Sequence, residues 1–125
     1  MAIRLVLAED SYLVREGVRR LLETRPELDV VATCGDLPSL LGAVERESPD
    51  VVLTDIRMPP DERDEGIRAA RTLRETRPEV GVVVLNGGSV IDPKVVEGLV
   101  VALLLSGTAA GTVVAVRRRG HGQPA

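Results

Sequence analysis

The chain is nearly free of aromatic side chains. It has no Phe and no Trp, and Tyr12 is its only tyrosine. Proteins that bind single-stranded nucleic acid or cationic ligands commonly stack them on aromatic rings, so this composition argues against both classes. Cys34 is the single cysteine, which excludes an internal disulfide and a paired-cysteine zinc site. We expect it to be a small buried apolar residue.

The residues that are present have the composition of one globular domain. Of the 125 residues, 44% are hydrophobic and 28% are charged, and the net charge is −3. This length suits a single compact domain with an aliphatic core, and the charge provides no overall attraction to nucleic acid. The first residues lack the apolar stretch of a signal peptide, so we expect a cytoplasmic protein.

Short apolar runs alternate with amphipathic segments over the first two thirds of the chain. The predicted strands are Ile3–Ala8, Asp29–Cys34, Val51–Thr54 and Val80–Leu85. Runs of β-branched residues without polar alternation indicate strands buried on both faces, and hence a parallel sheet covered by helices on each side. Residues 1–85 are therefore predicted to form a doubly wound α/β domain with the flavodoxin-like strand order 2-1-3-4. The place of a fifth strand stays open.

Three helices are predicted between these strands. Ser11 or Asp10 suits the N-cap of the first helix, and Asp36 suits that of the second. Apolar side chains at helical spacing define the faces expected to cover the sheet. They are Leu13, Val14, Gly17, Val18, Leu21 and Leu22 in the first helix, Leu37, Leu40, Leu41 and Val44 in the second, and Ile67, Ala70 and Leu73 in the third.

Acidic residues follow two of the predicted strands. Glu9 and Asp10 end the first strand and Asp55 ends the third. In the strand order 2-1-3-4 these strands are neighbours, so three carboxylates meet at one edge of the sheet. Such a group favours Mg²⁺, to which the Arg57 carbonyl can add a backbone ligand, and Asp55 beside the metal can act as a nucleophile that forms an aspartyl phosphate. The alternative is that these acids are solvated helix caps.

Three segments carry a resemblance to a known family. LVLAED, SYLVREGVRRLLE and PDVVLTDIRMPP resemble the receiver domain of bacterial two-component response regulators, in the branch with a LuxR-type helix-turn-helix. The resemblance covers about residues 2–85. It implies that Asp55 is the phosphoacceptor, that Glu9 and Asp10 bind Mg²⁺ with it, and that the Arg57 carbonyl is a metal ligand. It also implies a non-enzymatic signalling domain in transcription regulation, with a histidine kinase as phosphoryl donor.

The chain departs from the family pattern after the fourth strand. Asn86 stands where the family has Ser or Thr, and its amide is a candidate contact for the phosphoryl group. The family's Lys at the end of strand five is missing, because the stretch 87–100 resembles the segment that normally follows the last receiver helix. If Val95–Leu105 forms a crossover helix and Thr112–Val116 a substitute fifth strand, Arg117 would lie near the place of that Lys.

Residues 86–116 are accordingly predicted to be an atypical helix and strand that either complete or leave the core, and residues 117–125 a disordered tail. Leu99–Val116 is free of charge, which raises a membrane-spanning alternative. Its length of about 27 Å is short of the ~30 Å hydrocarbon core, and small residues fill its centre, so no membrane association is expected. No helix-turn-helix pattern follows Val100, so direct DNA binding is not expected either.

Two functions remain open at this stage. In the first, the chain is a receiver that is phosphorylated on Asp55. In the second, it is a degenerate receiver that binds protein partners without being phosphorylated. The exposed edge of strand four leaves two states open, a monomer and a homodimer that covers the edge, and a related response regulator is a further candidate partner.

Overall fold

A computed structural model of the protein describes residues 2–86 and 113–117, with only the backbone described for residue 86 and for residues 113–117. The elements, in chain order, are β1 (Ile3–Ala8), α1 (Tyr12–Glu23), β2 (Leu28–Cys34), α2 (Leu37–Glu47), β3 (Val51–Asp55), α3 (Glu65–Thr76), β4 (Gly81–Asn86) and β5 (Val113–Arg117). The predicted helices and the first four strands are confirmed, with differences of one residue at the ends of three strands.

The strands form one parallel sheet in the order β2-β1-β3-β4-β5. The predicted order of the first four strands is confirmed. Val113–Arg117 pairs with β4, so a fifth strand covers the edge that the sequence left open. Arg117 is therefore the last residue of a strand and not the start of a disordered tail, because its backbone belongs to the hydrogen-bonded ladder. Residues 118–125 and the helix expected at Val95–Leu105 lie outside the described residues.

Alternate side chains of the strands enter two hydrophobic layers. One layer lies between the sheet and α1, and the other lies between the sheet and the pair α2 and α3. The first contains Leu5, Leu7, Val18, Leu22, Leu53 and Val83, and the second contains Val6, Leu40, Val44, Val52, Leu73 and Val84. Burial on both faces explains why the strands are continuously apolar. Cys34 is buried as predicted, and burial raises the pKa of its thiol to about 11.

Three residues that were expected to face the core are exposed. Leu13 is 81% exposed and Ile67 is 39% exposed, and Gly17 is also exposed. Each helical residue turns about 100° from the one before, so only part of an apolar run can face the sheet. In α1 that part is centred on Val18 and Leu22, and in α3 it follows the spacing of Gly66, Ala69, Ala70 and Leu73.

N-cap hydrogen bonds fix where α1 and α2 begin, just after the ends of β1 and β2. The Ser11 hydroxyl accepts a hydrogen bond from the Val14 N–H at 3.4 Å, and Asp36 Oδ1 accepts one from the Ser39 N–H at 2.7 Å. Ser11 is thus the N-cap chosen between the two predicted residues, which leaves Asp10 free for another role.

Across the described residues, no helix is both long and apolar enough to cross a membrane, and Leu99–Val116 lies largely outside this part of the chain.

Candidate functional site

Three carboxylates meet at the edge of the sheet where β1 and β3 end. Ala8 pairs with Thr54 across these two strands, so Glu9 and Asp55 follow at the same level. One carboxylate oxygen from each of Glu9, Asp10 and Asp55 lies within 4.8 Å of the others. The structure therefore brings together the three acids that the sequence placed at strand ends.

The negative charges of this cluster are poorly compensated. Glu9 is only 8% exposed, and its pKa is raised to about 8, first by burial and then by the nearby charges of Asp55 and Asp10. One backbone N–H, that of Ser11 at 3.1 Å, opposes this rise in the pKa of Glu9. The pKa of Asp55 is raised by burial and by Asp10, although the Ile56 N–H donates to its Oδ1 at 2.8 Å.

The donor set fits a divalent cation with a preference for oxygen. All three side chains offer carboxylate oxygens, the ligands that Mg²⁺ takes in proteins, and they are close enough to contact one ion. Burial and mutual repulsion raise the pKa of a carboxyl group because its charged form lacks a partner. A cation would supply that partner. Asp10 is exposed, so the cluster is open to solvent on one side.

A close backbone contact holds Ile56, the residue after Asp55, against the start of α3. The Gly66 N–H donates to the Ile56 carbonyl at 2.8 Å, and a Cβ atom at Gly66 would overlap the carbonyl oxygen of Asp55. Only glycine allows the start of α3 to lie so close to the end of β3. Position 66 therefore requires glycine for a steric reason.

Glu65 is a buried charged residue that the sequence did not single out. It has no exposed surface, and it accepts hydrogen bonds from the backbone N–H groups of Asp61 at 2.6 Å and Arg63 at 2.9 Å. Burial alone would raise its pKa, but these backbone hydrogen bonds outweigh burial and lower the pKa of Glu65 to about 2. An acid in the first turn of a helix is normally exposed, so no sequence signal pointed to its burial.

A fourth carboxylate reaches the cluster from the loop before α3. Glu62 has a left-handed backbone with φ 55°, and its N–H donates to the Met58 carbonyl at 2.9 Å. Its pKa is raised by desolvation, by a hydrogen bond with Asp10 and by the charges of other acids. The loop therefore adds negative charge beside Asp10.

Asn86 and Arg117 meet as backbone partners at the same edge of the sheet. Asn86 pairs with Arg117 across β4 and β5, one residue beyond the pairing of Asp55 with Leu85. The fifth strand therefore brings Arg117 to the level at which the sequence placed a substitute for the missing Lys. The roles of both residues stay predictions.

The sequence and the fold of the chain are matched by known proteins. The family model of the response regulator receiver domain matches residues 5–103, and the chain belongs to this family. Its curated relatives include transcriptional regulatory proteins and also protein-glutamate methylesterases. It is 42% identical over 84 residues to the transcriptional regulatory protein DegU of Brevibacillus brevis, a match that covers 67% of this chain and 34% of that protein. The chain thus spans about a third of that relative's length.

Solved structures of receiver domains have the same fold. The signal receiver domain of the response regulator NarL from Mycobacterium tuberculosis superposes with a TM-score of 0.65 at 27% identity, over 91% of this chain and 83% of that one. The isolated receiver domain of RcsB from Salmonella enterica, solved in the presence of phosphomimetic BeF3−, superposes with a TM-score of 0.67 at 21% identity. That match covers 96% of this chain and 80% of the RcsB chain.

Proposed function

We propose that this domain accepts a phosphoryl group on Asp55 from a histidine kinase, with Mg²⁺ held by Glu9, Asp10, Asp55 and the Arg57 carbonyl. The observation that carries the proposal is the convergence of three carboxylates within 4.8 Å, with the pKa values of Glu9 and Asp55 raised. The phosphomimetic in the structure of the RcsB receiver supports the same chemistry for a domain of this fold.

The transfer is a substitution at phosphorus. A carboxylate oxygen of Asp55 attacks the phosphorus of the kinase phosphohistidine, and a P–O bond forms as the P–N bond breaks. The electron pair and a proton go to the histidine nitrogen. Bound Mg²⁺ would offset the charge of the phosphoryl oxygens. The Ile56 N–H, which donates to Asp55 Oδ1, holds that carboxylate in one orientation for the attack.

Two further residues would complete the phosphoryl site. Asn86 would donate from its amide to a phosphoryl oxygen, and Arg117 would supply the cation that the family's Lys otherwise provides. Asn86 ends β4, the neighbour of β3, and Arg117 ends β5, one strand farther from β3. We further propose that the domain acts in a phosphorelay that regulates transcription, either as a homodimer or paired with a related response regulator.

The second candidate function is that of a binding module that is not phosphorylated. Asn86 in place of a hydroxyl residue favours it, because the usual hydrogen-bond donor to the phosphoryl group is changed. In this case the acid cluster would still bind Mg²⁺, and the domain would occupy a kinase or a related regulator without accepting a phosphoryl group.

The test is phosphorylation of the purified chain by acetyl phosphate with Mg²⁺, read by intact mass. We expect wild type to gain one phosphoryl group and Asp55→Asn to gain none. Asp29→Asn, which changes an exposed acid of β2, is the matched control and should be labelled like wild type. Labelling that persists in Asp55→Asn would overturn the assignment of Asp55. If folded wild type binds Mg²⁺ but gains no phosphoryl group, the second candidate function, a binding module that is not phosphorylated, takes the place of the first.

A further inference from the structure

The loop between β3 and α3 folds around a single buried carboxylate. Asp61 and Arg63 donate their backbone N–H groups to the two different oxygens of Glu65, at 2.6 and 2.9 Å. Arg68 Nη2 pairs with the same carboxylate at 2.9 Å from one turn along α3. Glu65 therefore joins the middle of the loop to the first turn of the helix.

The same loop carries the peptide group that contains the Arg57 carbonyl. Arg57 follows Asp55 by two residues, and the next side chain, that of Met58, is fully buried in the core. The Met58 carbonyl accepts a hydrogen bond from the Glu62 N–H at 2.9 Å, inside the loop segment that Glu65 fixes. The segment with the Arg57 carbonyl is thus held between the end of β3 and the part of the loop that Glu65 fixes.

The ends of this loop are also fixed. At the β3 side, Gly66 contacts the Asp55 carbonyl and donates its N–H to Ile56. In the middle, the Leu37 N–H donates to the Pro59 carbonyl at 3.1 Å. These contacts fix where the loop begins and how it crosses the edge of the sheet. The part of the loop between Asp61 and Glu65 is fixed by the Glu65 carboxylate itself.

We propose that Glu65 is a positioning residue for the metal site, whose carboxylate holds the loop so that the Arg57 carbonyl and Asp55 can bind one cation together. The inference rests on the proposed function and deepens it. Glu65 itself is not a metal ligand in this scheme, because its two oxygens are taken by backbone N–H groups and by Arg68. Groups that orient metal ligands from behind typically change affinity about 10–100-fold when they are removed.

The variant that tests this is Glu65→Gln, with Asp64→Asn as its matched control. The glutamine side chain would keep the volume of Glu65 but replace one oxygen acceptor with an NH₂ donor facing a backbone N–H. Asp64 is the neighbouring residue, is exposed, pairs with the same Arg68 at 3.2 Å and makes no capping hydrogen bond. Each variant removes one carboxylate charge that pairs with Arg68. Only Glu65→Gln also disrupts the hydrogen bonds to the backbone of the loop.

Two readouts come from one set of amide NMR spectra of the full chain. In hydrogen exchange, Glu65→Gln should speed exchange of the Asp61 and Arg63 amides about 10-fold while the β1 amides stay protected, and Asp64→Asn should change neither. In a Mg²⁺ titration, Glu65→Gln should weaken the Kd at least about 10-fold, and Asp64→Asn less than about 3-fold. Both are measured at a temperature where circular dichroism shows each variant to be fully folded.

Each outcome decides one of the two proposals. If wild type binds no Mg²⁺, the metal site of the proposed function fails, while the exchange data still test the hold of Glu65 on the loop. If wild type binds Mg²⁺ and Glu65→Gln weakens binding no more than Asp64→Asn, the positioning role is overturned. If Glu65→Gln does not fold, Glu65→Asp takes its place. The positioning role is then overturned if Glu65→Asp speeds exchange of the Asp61 and Arg63 amides but binds Mg²⁺ as tightly as wild type.

Discussion

Two buried glutamates, Glu9 after β1 and Glu65 at the start of α3, have pKa values that move in opposite directions. Glu9 is 8% exposed and its pKa is raised to about 8, whereas Glu65 is fully buried and its pKa is lowered to about 2. Burial alone would raise both. Glu65 accepts hydrogen bonds from two backbone N–H groups and pairs with Arg68, but Glu9 accepts one and faces Asp10 and Asp55.

The difference separates a carboxylate with a structural role, Glu65, from one that we propose binds a cation, Glu9. Glu65 has all the partners its charge needs, so the folded domain stabilises the ionised form. Glu9 has too few, so without a cation the folded domain favours its protonated form, and a bound cation would favour the ionised form instead. Strongly raised pKa values in an open cluster of acids are typical of functional sites. In the proposed function, Glu65 would maintain the geometry of the loop and Glu9 would bind the metal.

The largest expected effect on stability comes from a substitution that would push the β3–α3 loop away from β3. In Gly66→Ala, the new Cβ atom would overlap the Asp55 carbonyl oxygen, which is backbone and cannot move alone. We expect a loss of about 2–4 kcal/mol in the free energy of unfolding, measured by urea denaturation.

Gly17→Ala is the matched control for this substitution. Gly17 is an exposed residue of α1 with no atom within 4 Å of the place of a Cβ. Alanine there should raise the free energy of unfolding by about 0.5–1 kcal/mol, because it favours the helix. A Gly66→Ala domain as stable as wild type would show that the contact with Asp55 is not tight.

The next largest effect is the pH dependence of stability that arises from the raised pKa of Glu9. Because the pKa of Glu9 is about 8 in the fold and 4.5 as the ordinary value, the folded chain keeps a proton that the unfolded chain has lost between these pH values. Its contribution to stability is thus complete below about pH 4.5 and is lost as the pH rises through about 8. Without metal, we expect the free energy of unfolding to fall by about 1–2 kcal/mol between pH 5 and 8.5.

Glu9→Gln should remove most of this fall, since a neutral amide does not titrate. Asp29→Asn, at an exposed position of β2, should retain it. Added Mg²⁺ should raise the stability of wild type at pH 8, because a ligand that binds only the folded state stabilises it. A flat stability profile for metal-free wild type over this range would argue against three close carboxylates.

The smallest effect concerns Glu65 and appears only in acid. Its pKa is about 2 in the fold against an ordinary value of 4.5, so its contribution to stability is present above about pH 4.5 and is lost as the pH falls through 2. Wild type should therefore be more stable than Glu65→Gln at pH 6, and the gap between their melting temperatures should narrow toward pH 2.5. In Asp64→Asn, the control, the gap to wild type should narrow less. A gap that stays constant would mean that Glu65 is not stabilised as an anion.

Much of the fold followed from local patterns. The β-branched runs predicted four strands, and Ser11 and Asp36 marked two helix starts, because these signals depend on residues near in the chain. The inward face of α3 was predicted less well. Ile67 is apolar but exposed, since the width of the face that a helix buries depends on what it packs against.

The convergence of the candidate site was also predictable in outline. Strand ends in a parallel sheet meet at one edge, so Glu9, Asp10 and Asp55 were expected together, and the structure places them within 4.8 Å. Glu65 was not predicted. Its burial depends on a loop that folds back onto the first turn of α3, and this arrangement follows no short-range pattern.

The sequence by itself determined the order of strands and helices, the family and the acids at the strand ends, because each depends on residue type and spacing along the chain. Only the tertiary structure decided which carboxylates keep their charge, because a pKa depends on the N–H groups and ions that surround the side chain in space. The pairing of Val113–Arg117 with β4 was decided in the same way, since the hydrogen bonds of an edge strand are made with a distant part of the chain.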